Sequence, residues 1–231
     1  MIEIAGRTCY KSEDKIGCTL ATDECSYESA YFHADGRCAQ SDCDNHSSNR
    51  FVKMLIKRGH HAMLEHGGAT VKFVTNRGVT HELVRHRLCA FGQESTRYVN
   101  YGGDDIQFIL PSWMPKEAVG KAMDEIADIL QPVEYAWAEA CAFAEGAYKE
   151  LLEHGWQPQE AREVMPNSLK TEIVVTANWR EWRHIMALHA LGTTGKPHPQ
   201  MQALMLPLLS EFKELVPPMY RDWETDRKSV V

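Results

Sequence analysis

The sequence predicts an α+β fold in which helix dominates. Long stretches place apolar residues at helical spacing between Gly and Pro punctuation, two short stretches alternate apolar and polar residues as strands do, and no internal repeat is visible. The chain is read as one domain over residues 1–231, carrying a Cys-rich insertion at about 13–48.

Residues 1–12 are too short to read alone. Residues 13–48 are polar, rich in Ser, Asp and Cys, and lack periodicity, as an excursion from a core would. From Asn49 to Arg58 the pattern is helical, with Phe51, Met54 and Leu55 on one face and Gly59 as C-cap. Ala69, Val71 and Phe73 alternate with Thr70 and Lys72 and predict a strand. A helix follows over Gly78–Leu88 with Asn76 as N-cap, and the Gly and Ser content of Cys89–Gly103 predicts a loop. Pro115 opens a helix to about Leu130, and Pro132 marks a restart into a long helix that stops at Gly155. Leu169–Thr176 predicts the second strand, with Ile173 and Val175 on one face. Asn178 caps a helix ending near Leu191, before Gly192; Pro199 opens the last helix, which Pro207 kinks and Pro217 ends.

The balance of 25 basic against 32 acidic residues argues against a general nucleic-acid or membrane-surface protein, which needs a broad positive field. No run approaches the roughly 20 apolar residues of a membrane span, and the N-terminus has no signal-peptide pattern. The chain is therefore expected in the cytoplasm, with no membrane or nucleic-acid partner. Its 7 cysteines are an odd number and read as free thiols.

Chemistry concentrates in one stretch. Arg85-His86-Arg87 is followed after seven residues by Ser95-Thr96-Arg97-Tyr98, with Arg77 just upstream. Cations this dense repel, so an anion should offset them, and arginine forks suit phosphate oxygens. Gly92, Gln93, Ser95 and Thr96 add donors. Two readings follow from the residues alone: a site for a phosphorylated ligand, or a solvated basic face held by local ion pairs.

The RHR, seven residues, S pattern resembles the signature of the flavin-dependent thymidylate synthases. The resemblance extends to Gly59-His60-His61-Ala62-Met63-Leu64-Glu65-His66, to Ala161-Arg162-Glu163-Val164-Met165-Pro166, to Asn178-Trp179-Arg180 and to His198-Pro199-Gln200. It covers roughly residues 49–216, with a further patch at Ala5–Ile16. It implies a central mixed or antiparallel sheet and a homotetramer with FAD sites at subunit interfaces. It also implies FAD-dependent methylation of dUMP to dTMP, with methylenetetrahydrofolate as carbon donor and NADPH as reductant. Carried over by position, His60, Arg85, His86, Arg87, Gln93, Asn178, Arg180 and His184 contact FAD. Glu82, Arg85, Gln93, Glu94, Ser95, Thr96, Arg97 and Arg162 surround dUMP, and His189, Arg85 and Ser95 are the catalytic candidates. The flavin carries the hard step, so no protein nucleophile is needed. The sequence lacks the Pro-Cys-His nucleophile segment of the unrelated flavin-free thymidylate synthases.

Four departures from the family pattern matter. His189 stands where the family has an arginine thought to polarise the uracil ring. Glu82 stands where many members have glutamine, and Ala62 where many have Ser or Thr. Met1 aligns inside the family's N-terminal region, so an initial strand is expected ahead of it. Two alternative functions follow: methylation of a related pyrimidine nucleotide such as UMP, or flavin and nucleotide binding with turnover impaired by His189.

Other candidates read more plainly. Ser95 is a ligand-binding hydroxyl rather than a nucleophile, Cys89 a small buried thiol, and His61 and His66 satisfied structural histidines rather than metal ligands. Cys18, Cys25, Cys38 and Cys43, with His33 and His46, read as a divergent loop or a structural zinc site. No other metal is expected. Trp113, Trp137, Trp156, Trp179 and Trp182 read as core or interface anchors.

Overall fold

A computed structural model describes residues 1–12, 47–103 and 106–220. The zinc reading of Cys18, Cys25, Cys38, Cys43, His33 and His46 lies outside the described residues. Those described form two compact units. Unit 1 draws on Met1–Ala69, Ala177–Pro197 and Met205–Val231, and unit 2 on Thr70–Thr176 and His198–Leu204.

Unit 2 is built on a three-stranded antiparallel sheet with strand order β1-β3-β2. The strands are β1 (Gly68–Asn76), β2 (Ala90–Gln93) and β3 (Lys170–Asn178). In β3 the period-two pattern buries Thr171, Ile173 and Val175, and the β-branched side chains suit the pleat. Strand β2 pairs β3 in the register Ala90↔Thr176 to Gln93↔Ile173. The helix α3 (Arg77–Leu83) starts directly from β1, where Asn76 Oδ1 accepts the Val79 amide at 2.9 Å.

The longest helix, α5 (Pro132–Glu153), has Pro at its first position and a reciprocal Gln131–Glu134 capping box. It ends at Gly155, whose φ of 88° is left-handed. One side of α5 carries Ala138 against Met114, Ala118, Ile126 and Leu130. Further along, Tyr148 packs with Ile106, Ala161 and Leu169. The short α6 (Pro158–Ala161) and a 3-10 turn at Arg162–Val164 follow.

Unit 1 packs α1 (Ile2–Tyr10), α2 (Ser47–Lys57), a 3-10 turn at His61–His66, α7 (Trp179–His189) and α9 (Pro217–Tyr220) with the later residues of α8 (Pro199–Leu215). Its core holds Val52 and Leu55 from α2, Trp182, Ile185 and Met186 from α7, and Phe212. Trp179 and Trp182 both meet the Phe212 ring edge-on, with centroids 5.3 and 5.4 Å away. The buried Trp182 indole donates to Ala69 O at 3.0 Å. The helix α7 begins at Asn178, whose Oδ1 accepts the Glu181 amide at 2.9 Å.

Most expected elements are present, and four differ. The helix expected over Gly78–Leu88 stops at Leu83, where three-residue turns take over, the Arg85 amide donating to Glu82 O and the His86 amide to Leu83 O. The loop expected over Cys89–Gly103 contains β2, which takes its conformation from pairing with β3 rather than from alternation. The helix expected from Pro115 to Leu130 is broken at Gly120, whose φ is 74°; what remains is a 3-10 turn at Lys116–Ala118 and α4 (Met123–Ile126). The last helix ends at Leu215, and Pro217 opens the short α9. On α2 the buried apolar positions are Val52 and Leu55, while Phe51 and Met54 are half-buried.

Among the described residues no helix is long and apolar enough to cross a membrane. Trp182 is a core anchor and Trp137 packs on the α5 cluster, whereas Trp113 and Trp156 are exposed.

Candidate functional site

In unit 2 the motif residues flank β2, with Arg85–Arg87 before it and Ser95–Tyr98 after it. Gln93, the last residue of β2, donates from its amide to Thr80 Oγ1 at 3.0 Å and Thr171 Oγ1 at 3.3 Å, tying α3 to β3. The chain then turns sharply. Tyr98 and Val99 amides both donate to Ser95 O, and Ser95 Oγ accepts the Arg97 amide at 3.3 Å. Thr96 is thereby buried, and its Oγ1 accepts Arg162 Nη1 at 3.2 Å. The two family segments carrying Thr96 and Arg162 are therefore in contact within one unit.

Glu94 sits at the centre of a second network. Its amide donates to Glu172 O at 3.0 Å and its carbonyl accepts Arg77 Nη2 at 2.9 Å. Tyr101 donates its hydroxyl to Glu94 Oε1 at 2.7 Å. Burial, reinforced by the Glu94 bond and charge, holds the Tyr101 hydroxyl well above its ordinary range, so it stays protonated. Among the described residues, Glu94 Oε2 and Arg77 Nε are both buried without a hydrogen-bond partner.

The remaining unit 2 candidates are graded by exposure. His86 is buried, Glu82 is half-buried in the last turn of α3, and Arg85, Arg87 and Arg97 are exposed. The Arg97 guanidinium lies over the Tyr98 ring, 5.4 Å from its centroid. Arg85 and Arg87 lie in the turn before β2 and Arg97 in the loop after it. Cys89, expected to be buried, is half-buried.

Unit 1 holds the other candidates, on and beside α7. A cleft of about 360 Å³ is lined by Arg180, Glu181, Arg183, His184 and Ala187 of α7, with His61 and Leu64 also in the lining. Spacings of four and three residues put Arg180, His184 and Ala187 on one helical face. Arg180 also pairs Glu65 at 2.6 Å. His61, expected to be a structural histidine, is exposed and faces this cleft. Partial burial, then the Arg183 and Arg180 charges, lower its pKa below the ordinary 6.5. Glu181 also lines the cleft, so its wall carries both signs of charge.

His60 bonds Tyr10 through Nδ1 and the phenol at 2.8 Å. Asn178 spends its carbonyl oxygen on the α7 cap. His189 is half-buried in the last turn of α7. It lies two residues past Ala187, about 200° round the helix, and so on a different face from the cleft.

Sequence reasoning missed Tyr101 and the cleft role of His61 and Arg183. Arg183 had a readable signal, lying one turn beyond Arg180 on the same capped helix. Tyr101 had none, because its contact to Glu94 closes across a loop.

Comparison with known proteins follows the same outline. The family model for thymidylate synthase complementing protein matches residues 1–218. A flavin-dependent thymidylate synthase of Corynebacterium diphtheriae is 28% identical over 230 residues, covering 97% of this chain and 79% of that protein. One from Mycobacterium tuberculosis is 28% identical over 231 residues, covering 97% of this chain and 79% of its own length. One from Geobacter sulfurreducens is 30% identical over 173 residues, covering 74% of this chain and 68% of its own length. Matched from its first residue through Leu215 and beyond, the chain belongs to the thymidylate synthase complementing protein family.

Proposed function

We propose that the protein methylates dUMP to dTMP, with FAD as cofactor, methylenetetrahydrofolate as carbon donor and NADPH as reductant. The observation that carries this is its family membership, with relatives named flavin-dependent thymidylate synthase aligned along 97% of the chain. The donor chemistry fits the cofactor. The α7 cleft offers Arg180, Arg183 and His184 as donors beside Glu181, with a His61 whose protonated form is disfavoured by burial and then by the two arginines.

In this reading His60, Asn178, Arg180 and His184 hold FAD, together with Arg85, His86, Arg87 and Gln93. When bound and reduced by NADPH, the flavin would supply the hydride needed to convert the transferred one-carbon unit to a methyl group. Arg97 and Arg162 pair the nucleotide phosphate, and Glu82, Glu94, Ser95 and Thr96 complete the nucleotide surface with Arg85 and Gln93. Gln93 gives its amide hydrogens to Thr80 and Thr171, which leaves its carbonyl oxygen for ligand. Ser95 orients and binds through its hydroxyl. His189 stands where the family pattern has the arginine that polarises the uracil ring, and its imidazole offers one hydrogen bond in that role. Sites at subunit interfaces of a homotetramer, and a cytoplasmic location, belong to the same reading.

The test is direct. Purified protein should show flavin absorbance, and should form dTMP with NADPH oxidation that depends on dUMP and methylenetetrahydrofolate. Colourless protein that cannot take up FAD would sink the reading. Product from UMP at an equal rate would favour a broader pyrimidine methylase, and a yellow protein without turnover would favour a binding homologue.

A further inference from the structure

The fold answers three of the four polar groups of Glu94 and leaves one unmet. The amide bonds Glu172 O at 3.0 Å, the carbonyl takes Arg77 Nη2 at 2.9 Å, and Oε1 takes the Tyr101 hydroxyl at 2.7 Å. Among the described residues Oε2 is buried with no hydrogen-bond partner. A buried acceptor that has shed its water and found no donor is destabilising, and such groups are rare unless a ligand completes them.

We propose that Tyr101 is a positioning residue for the nucleotide: by holding Glu94 Oε1 it presents Oε2 to one N–H or O–H donor of the bound nucleotide. The inference rests on the reading of residues 94–97 as nucleotide-binding. The carboxyl torsion of a free glutamate is broad. One short bond to one oxygen removes that freedom and sets the direction of the other. Tyr101 can do this because it is itself fixed. Its ring meets the buried Tyr148 edge-on at 6.2 Å, and its amide donates to the Tyr148 hydroxyl at 3.5 Å. Its hydroxyl keeps its proton, as burial and Glu94 both require, so it acts as a donor and not as an acid. A deoxyuridine nucleotide offers two such donors, the ring imide N–H and the sugar 3′-hydroxyl.

The experiment titrates dUMP, N3-methyl-dUMP and 3′-deoxy-dUMP into flavin-loaded wild type, Tyr101→Phe and Glu94→Gln. Tyr101→Phe should weaken dUMP binding about 5- to 10-fold, the effect of one misaligned hydrogen bond. Flavin content should hold, and KM should rise with kcat nearly constant. With the analogue lacking the responsible donor, Tyr101→Phe should cost nothing, which names imide or hydroxyl. The double variant should bind no worse than Glu94→Gln alone, a check that stands if either single variant folds poorly. Unchanged dUMP affinity in Tyr101→Phe, or an equal loss for all three ligands, overturns the inference alone. Failure of wild type to bind dUMP overturns the nucleotide reading of the loop and the inference with it.

Discussion

Arg162→Ala should separate binding from folding cleanly. In the free protein Arg162 is lightly engaged. Its Nη1 donates to Thr96 Oγ1 at 3.2 Å, and its Nε lies 3.9 Å from Glu163, with the two side chains 36% and 76% exposed. An ion pair that exposed and that long contributes close to nothing. The hydrogen bond to a neutral hydroxyl is worth about 1 kcal/mol net. The folding cost is therefore near 1 kcal/mol, a fall in Tm of about 2–4 °C for a chain of this size. The binding cost is larger. A charge-assisted contact to phosphate is worth about 1.5–3 kcal/mol, so dUMP affinity should fall about 10- to 150-fold at 1.4 kcal/mol per tenfold. Deoxyuridine, which has no phosphate, should bind the variant and the wild type alike. Arg162→Lys should fall between, since an ammonium keeps the charge but loses the fork. Calorimetric titration of both ligands into all three proteins reads these numbers. An equal loss for dUMP and deoxyuridine would refute the phosphate assignment and leave Arg162 as a prop for Thr96.

Four further outcomes are expected. Ile173→Ala, at a fully buried position of β3, should cost about 2–5 kcal/mol in chemical denaturation; a cost below about 1 kcal/mol would mean the sheet face can collapse around the gap. Arg87→Ala should weaken FAD by about 1.5–3 kcal/mol on titration of the apoprotein, and an unchanged affinity would remove this exposed cation from the cofactor surface. His189→Arg should raise single-turnover flavin oxidation with dUMP and methylenetetrahydrofolate while leaving dUMP affinity nearly constant, because a fixed cation favours developing charge over the neutral ring; no gain in rate would place His189 away from the ring. His61 has its pKa depressed below 6.5, so its contribution to stability is present above pH 6.5 and is lost as pH falls from there toward the folded value. Saturation with FAD should raise that pKa in an NMR titration, and a pKa that stays put would mean the cleft receives no anionic group.

How much was readable varies with how local the cause is. Asn76 and Asn178 announce their helices because a cap acts within three residues, and both caps form as expected. Ile173 and Val175 announce β3 because period-two burial repeats within one strand. The four residues of β2 show no such repeat; they become a strand by pairing with a segment some eighty residues on, a cause the local pattern does not carry. Gly120 breaks the expected 115–130 helix through a backbone angle that the apolar spacing around it conceals. At the candidate site, Arg162 and Thr96 were linked by resemblance and are in contact. Tyr101 and the Glu94 network were invisible because each contact closes over an irregular loop, where neither spacing nor composition predicts a partner.

The two strand-to-helix junctions have a consequence for how this chain tolerates changes in length. At both, the asparagine that ends the strand is also the helix cap, with no residue to spare. One residue inserted between Asn178 and Trp179 would rotate α7 by about 100° against its neighbours. Trp182 and Ile185 would swing out of the core, and Arg180 and His184 out of the cleft. No loop stands between strand and helix to absorb the shift. Insertions and deletions should therefore be purged at Asn76–Arg77 and Asn178–Trp179, and should accumulate where the backbone turns on a glycine in open space, at Gly120 and Gly155. A library of single-codon insertions scored for soluble, flavin-loaded protein should show two silent gaps at those asparagines.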